Sequence, residues 1–278
     1  MVRRNIFDVL STIEIDPVIE MAKIEKLFSV KLFTHAGSNT TLSKLIDKNR
    51  FLDWHYRGSC LSMQDLRLAC NIPFSEDILN YSIDCPIEDM FLYFEFILNM
   101  LNLLDAMTRF PNVKELVNLI EYNIKFLCDK YNLKIEKIED QIWIVENSEK
   151  ISAICEINPE LAPKLLEYSR FSLKGDIEKK QEILSSLALK YEGIKSELKN
   201  ASQANLVNDI DTLLNNLNIR HNNNKGEHKK EVVYQMDDEQ IEEWYDRTFD
   251  LILLAFMYND YTSYKSQIKN LRVQLKTS

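Results

Sequence analysis

The chain has 278 residues and a formal net charge of −9, with hydrophobic residues at 45% and charged residues at 28%. This balance fits a folded chain with one large or two modest cores, and the acidity excludes a global attraction to nucleic acid, so any contact with RNA needs a local basic patch. Only five Gly and six Pro occur, which points to long helices and few tight turns.

In chain order, residues 5–13 and 17–28 read as short amphipathic helices, with Pro17 suited to a first helical turn. Residues 35–39 read as a loop, and Thr40 or Thr41 caps a helix over 42–51. Asp53-Trp54-His55-Tyr56-Arg57-Gly58-Ser59 is chemically rich. His55 and Arg57 are binding candidates there, although a His beside aromatic rings is more often packing or surface decoration. Ser62 caps 63–70, Pro73 marks a break, and another helix starts at Ser75. Pro86, with Glu88 and Asp89 behind it, opens a long apolar helix through 90–104. Its polar residues Glu95, Asn99 and Asn102 share one stripe. That predicts a mostly buried helix with a narrow wet face, and the interrupted run is too short for a membrane span. Pro111 opens a helix with Val113, Leu116, Val117, Ile120, Ile124 and Leu127 on one side.

The period changes at Tyr131. Leu133, Ile135 and Ile138, then Ile142, Ile144 and Val145, flank Asp140-Gln141 as a small β-hairpin, with Trp143 on the second strand. Helical spacing returns after Asn147. Asn158-Pro159-Glu160 has cap and first-turn chemistry for a helix through Tyr168. Gly175-Asp176 precedes a longer helix bearing Ile177, Leu184, Leu187 and Tyr191, which Gly193 interrupts. Leu206, Val207, Ile210, Leu213, Leu214 and Leu217 form the seam of a helix that runs straight into Arg220. The acidic Asp237-Asp238-Glu239-Gln240 starts the last long helix, and 265–276 reads as a basic amphipathic tail helix.

The expected fold is therefore mainly α. A helical domain of unassigned role covers 1–130, a hairpin at 131–146 acts as divider, and an antiparallel helical bundle covers 147–278. Cys60, Cys70, Cys85, Cys128 and Cys155 are odd in number and widely spaced. They have no Cys-x-x-Cys pair and no His at zinc-ligand spacing, so they read as small core hydrophobes in a reducing cytoplasm. The N-terminal residues lack the apolar stretch of a signal peptide. No metal, cofactor or membrane contact is expected.

The chemically distinctive segment is Arg220-His221-Asn222-Asn223-Asn224-Lys225-Gly226-Glu227-His228, followed by Lys229 and Lys230. Arg supplies a permanent cation for phosphate, and His exchanges a proton near neutral pH. Gly226 can take the left-handed turn that would bring His228 back toward Arg220. Asn222 and Asn223 could position a phosphate or merely cap the helix, and Lys225, Lys229 and Lys230 add local positive charge. A polar helix-to-helix loop that happens to hold charges is the plainer reading. There is no Gly-rich phosphate loop, no Gly-x-Ser-x-Gly and no His-Glu-x-x-His.

An amphipathic helix, then Arg, a polar residue, a short spacer, His, and another long amphipathic helix: this order resembles the HEPN superfamily. The C-terminal half is also similar to HEPN-like proteins of bacterial and phage abortive-infection systems. The likeness is carried by Glu167-Tyr168, Leu173-Lys174-Gly175-Asp176-Ile177, Lys180, Ile183-Leu184, Leu217-Asn218-Ile219-Arg220-His221-Asn222-Asn223 and Trp244-Tyr245-Asp246. It spans roughly residues 150–260. Seven residues separate Arg220 from His228, where the family pattern has four to six.

The resemblance implies a metal-independent endoribonuclease acting on RNA, including tRNA. The ribose 2′-hydroxyl would attack the adjacent phosphate, with His228 as general base or acid and His221 as a second proton-transfer or orienting group. Arg220 would clamp the developing charge and Asn222 would orient the phosphate. It also implies a homodimer and a role in phage defence, with a protein partner or trigger acting through residues 1–130. The competing expectation is a non-catalytic helical interaction or regulatory protein on the same fold, because fold does not imply activity.

Overall fold

Short polar side chains set the helix starts. In this computed structural model, which describes residues 14–33, 39–72, 85–104, 111–220 and 235–277, α1 (Pro17–Phe28) opens where Asp16 Oδ1 accepts the Ile19 amide at 3.1 Å. Thr41 does the same for α2 (Leu42–Asn49), and Ser62 for α3 (Met63–Ala69). Each cap satisfies an amide that the first helical turn leaves without a partner. Two short strands, β1 (Leu32–Phe33) and β2 (Asn39–Thr40), pair antiparallel just before α2. Helices α4 (Ile87–Asn102) and α5 (Pro111–Lys130) follow, then strands β3 (Leu133–Ile138) and β4 (Gln141–Glu146). The helix expected at 5–13, His35, the break at Pro73 and the helix from Ser75 lie outside the described residues.

The chain divides into two compact units, Met1–Ile144 and Val145–Ser278. In the first, α1 packs on α4, and Met21, Ile24 and Phe28 of the one and Met90, Phe94 and Ile97 of the other are essentially without solvent contact. A charged triad is buried beside them. Glu25 Oε2 accepts from Arg67 Nη2 at 2.8 Å and from the Tyr93 hydroxyl at 2.6 Å, and the Arg67 guanidinium lies 5.0 Å from the Phe96 ring centre. Burial first, and then the Glu25 charge, push the Tyr93 hydroxyl well above its ordinary pKa.

The polar stripe of α4 is not a wet face. The Asn99 amide accepts the Ile142 N–H at 2.9 Å and donates to the Ile142 carbonyl at 2.7 Å. Glu95, itself buried, accepts the Ile144 N–H at 3.0 Å, and Asn102 Nδ2 donates to the Asp140 carbonyl at 3.4 Å. The stripe therefore pairs with the outer backbone edge of β4. A two-stranded hairpin exposes such an edge and is marginal by itself, and these side chains supply the missing ladder. The hairpin turns at Glu139-Asp140, with Glu139 in the left-handed region (φ 54°).

The second unit contains α6 (Glu149–Ile157), α7 (Ala162–Tyr168), α8 (Ile177–Asn200), α9 (Ala204–Asn216) and α10 (Asp238–Thr277). Three sequence expectations change here. Asn158 is the C-cap of α6 and does not start α7, whose Pro163 lies in the first turn behind Leu161. Gly193 does not interrupt α8, which runs unbroken for 24 residues because its inward face, Ile183, Leu184, Leu187 and Tyr191, is fully packed. The tail is no separate helix, since α10 is continuous over 40 residues. It opens with a capping box: the Gln240 amide donates to Asp237 Oδ1 at 2.9 Å, and the Asp237 amide donates to Gln240 Oε1 at 3.2 Å.

Consecutive helices α8, α9 and α10 alternate in direction. Lys180 of α8 meets Glu242 near the start of α10, and Ala201 behind α8 meets Tyr258 further along it, so these two run parallel with α9 reversed between them. Among the described residues no helix is long and apolar enough to cross a membrane. All five cysteines are free thiols, yet only Cys128 is fully buried, and Cys70 is exposed. Burial and the Asp129 charge push Cys128 up to about 12.

Candidate functional site

The turn after α9 is anchored on both sides before it reaches Arg220. Leu217 caps the helix, and Asn218 takes a left-handed conformation (φ 60°) that ends it. The carbonyls of this turn have no helical amide to accept from, and side chains of α8 and α10 serve instead. Tyr245 donates its hydroxyl to the Leu217 carbonyl at 3.2 Å, Gln181 donates to that of Asn218 at 2.6 Å, and Ser185 donates to that of Ile219. Ile219 is buried, and the Arg220 amide donates to the Leu214 carbonyl at 3.2 Å. Arg220 thus leaves the bundle from a fixed point, one turn beyond α9 and not on it.

Its guanidinium points at carboxylates. Nη2 pairs with Glu192 of α8 and with Asp211 of α9 at 3.2 Å, and Nη1 donates to Asn215 Oδ1 at 3.3 Å. Lys195 joins the same acids, 2.8 Å from Asp211 and 3.4 Å from Glu192. The cluster holds two cations and two anions, so its formal charge is zero. Tyr191 lies beneath, its hydroxyl pKa raised by burial and then by Asp211 and Glu192, with Arg220 opposing. His221, Asn222, Asn223, Lys225, His228, Lys229 and Lys230 lie outside the described residues, so of the expected constellation only Arg220 has a described position.

A second polar centre, to which the sequence reading gave no chemical role, lies in a cavity of about 520 Å³ in the same unit. Its core is the Lys180 ammonium, buried between Glu242 and Asp246 at 2.7 Å from each. Tyr168 donates to Asp246 at 2.8 Å and stacks on Phe249 with ring centres 4.0 Å apart. The Gly175 amide donates to Glu242 Oε1 at 2.8 Å. Burial raises the Glu242 pKa, but the Lys180 hydrogen bond, the Gly175 amide and the Lys180 charge together outweigh it and hold the carboxyl below its ordinary value. Glu146, also lining the cavity, goes the other way: burial and the Asp246 charge raise it despite Lys180. The cavity therefore sets a carboxyl that holds its proton more readily than usual beside a locked cation–carboxylate–phenol network. Several residues that carry the family resemblance meet here: Tyr168, Lys174, Gly175, Lys180 and Asp246.

The other sequence candidates are spoken for. Arg57 staples its own loop, donating to the carbonyls of Leu52, Gly58 and Cys60 at 3.0, 3.3 and 2.9 Å. His55 is exposed, 3.7 Å from Asp140. Among the described residues no group of three or more His, Cys, Asp or Glu side chains is arranged to hold a metal ion. Compared with protein-family models, curated proteins and solved structures, the chain matches none.

Proposed function

We propose that the C-terminal unit is a HEPN-like helical bundle that acts on RNA as a metal-independent endoribonuclease of the abortive-infection, phage-defence type. The observation that supports it is the anchored turn at 217–220. Three side chains from two helices fix the backbone from which Arg220 emerges, directly ahead of the His- and Asn-bearing segment. A clamp on a transition state has to be held in place before substrate arrives, and this one is. Glu192 and Asp211 orient the guanidinium, and a phosphate would compete with them for its planar fork of donors.

In the proposed step the ribose 2′-oxygen bonds to phosphorus as the bond from phosphorus to the 5′-oxygen breaks. One imidazole of His221 and His228 takes the 2′-hydroxyl proton and the other gives a proton to the departing 5′-oxygen. The products are a 2′,3′-cyclic phosphate and a 5′-hydroxyl, and no metal takes part.

Expression in bacteria of wild type, Arg220→Ala and His228→Ala, scored by growth and by integrity of total RNA and tRNA, tests this reading. Wild type is expected to arrest growth with cut RNA, and both variants to be harmless. Intact RNA and unimpaired growth with wild type at full expression would turn the assignment toward the second reading, a non-catalytic interaction or regulatory protein. One observation favours that alternative: the Arg220 cluster is already charge-neutral, so it offers RNA no net attraction.

A further inference from the structure

The last helix carries a pattern that its own bundle does not use. Residues Tyr245, Phe249, Ile252, Leu253 and Phe256 of α10 are buried in the unit's core. From Leu254 onward a second apolar series faces elsewhere: Leu254, Met257, Tyr261, Tyr264, Ile268, Leu271 and Leu275. The steps alternate strictly between three and four residues, a period of 3.5 sustained over 22 residues, or roughly 33 Å of helix. All but the half-buried Ile268 are exposed, by 39% to 68%. A face packing on a globular core follows the 3.6-residue turn, whereas a strict heptad marks a coiled-coil seam. Every side chain described between 269 and 276 is exposed to solvent.

We propose that this seam binds the same seam of a second copy of the chain as a parallel two-stranded coiled coil. Leu254, Tyr261, Ile268 and Leu275 occupy the a positions, and Met257, Tyr264 and Leu271 the d positions. The flanking residues select the occupant. Asp260, Gln267 and Gln274 stand at g; Tyr258, Lys265 and Arg272 stand at e. In a parallel in-register pair each g residue faces the e residue five places on. Asp260 then meets Lys265 of the second copy, twice by symmetry, and Gln267 meets Arg272, so no like charges are opposed. Tyr261 and Tyr264, already edge to face with centres 5.9 Å apart, bury their rings and keep their hydroxyls at the wet rim.

Sedimentation and light scattering of the purified full chain test the pairing, and both are run without RNA, so the outcome is separable from that of the nuclease assays. Wild type is expected at twice the chain mass of 32.7 kDa at micromolar concentration. Tyr264→Glu and Leu271→Glu, both at exposed positions, should keep the helical signal and raise the dissociation constant roughly a hundredfold or more, since each removes two buried side chains per dimer. Val273→Glu, equally exposed but off the seam, should leave the dimer intact. Asp260→Lys should weaken pairing and its combination with Lys265→Asp should restore it. A monomeric wild type, a dimer indifferent to Tyr264→Glu and Leu271→Glu, or equal loss with Val273→Glu overturns the seam. Failure of the charge swap to restore pairing overturns the parallel arrangement.

Discussion

Replacing Lys180 by Met would remove the only cation bonded to both Glu242 and Asp246 among the described residues, while keeping most of the side-chain volume. Breaking a buried ion pair from one side costs about 3–5 kcal/mol when the remaining charge is fully enclosed. The Lys180 side chain is 8% exposed and that of Glu242 17%, but Asp246 is 51% exposed and can take water in place of the ammonium. Both acids also keep one donor, the Gly175 amide for Glu242 and the Tyr168 hydroxyl for Asp246. The expected loss is therefore about 2–3 kcal/mol, or a urea midpoint lower by roughly 1 M.

The pH dependence carries a definite sign. Glu242 is held below its ordinary pKa, so its contribution is present above the unfolded value of 4.5 and is lost as pH falls through the lower folded value. Without Lys180 that depression disappears. The gap between wild type and Lys180→Met should be widest near neutrality and narrow below about pH 4.5. Adding Glu242→Gln to Lys180→Met should recover part of the loss. Urea unfolding followed by the helical far-UV signal at several pH values reads all three. A variant as stable as wild type at neutral pH, or a gap unchanged between pH 7 and pH 4, would refute the role given to this lysine.

Other substitutions probe the remaining assignments. Asn99→Ala should cost about 2 kcal/mol, because it strands the Ile142 amide and carbonyl, and chemical denaturation with hydrogen exchange at Ile142 would register both effects. Arg67→Met leaves the buried Glu25 with the Tyr93 hydroxyl as its one direct partner among the described residues, and should lower stability by about 3 kcal/mol in the same assay. Gly193→Ala should raise stability by about 0.5–1 kcal/mol, since a Cβ there meets nothing within 4 Å and Ala is the better helix former. Glu146, with its pKa raised, stabilises fully below its unfolded value and loses that contribution as pH rises through the folded one. Glu146→Gln should therefore gain stability relative to wild type at pH 8 and not at pH 4, measured by thermal unfolding.

Local chemistry was readable from the chain alone. Ser62, Thr41 and Asp237 cap their helices as their types and positions require, and the apolar faces of α5 and α9 follow helical spacing. What escaped depends on partners distant in sequence. Glu95 and Asn99 look like a wetted stripe until the β4 edge, more than 40 residues on, comes to meet them. Lys180 and Asp246 are ordinary helix-face charges 66 positions apart, and nothing in either neighbourhood marks them as a pair. Arg220 reads as a free cation at a helix end because Glu192 and Asp211 reach it from other turns of the bundle. Gly193 reads as a break because helix propensity is a weak prior that the packing of α8 overrides.

Cleavage of a defined RNA by the purified chain in the presence of a metal chelator bears most directly on the proposed activity. One substrate carries ordinary ribose throughout, and its twin carries 2′-deoxyribose at the cut sites. The expected result is cutting of the first only, with cyclic phosphate ends and none with Arg220→Ala. Cleavage of the twin at those sites, undiminished cutting by Arg220→Ala, or no cutting of either strand would contradict it.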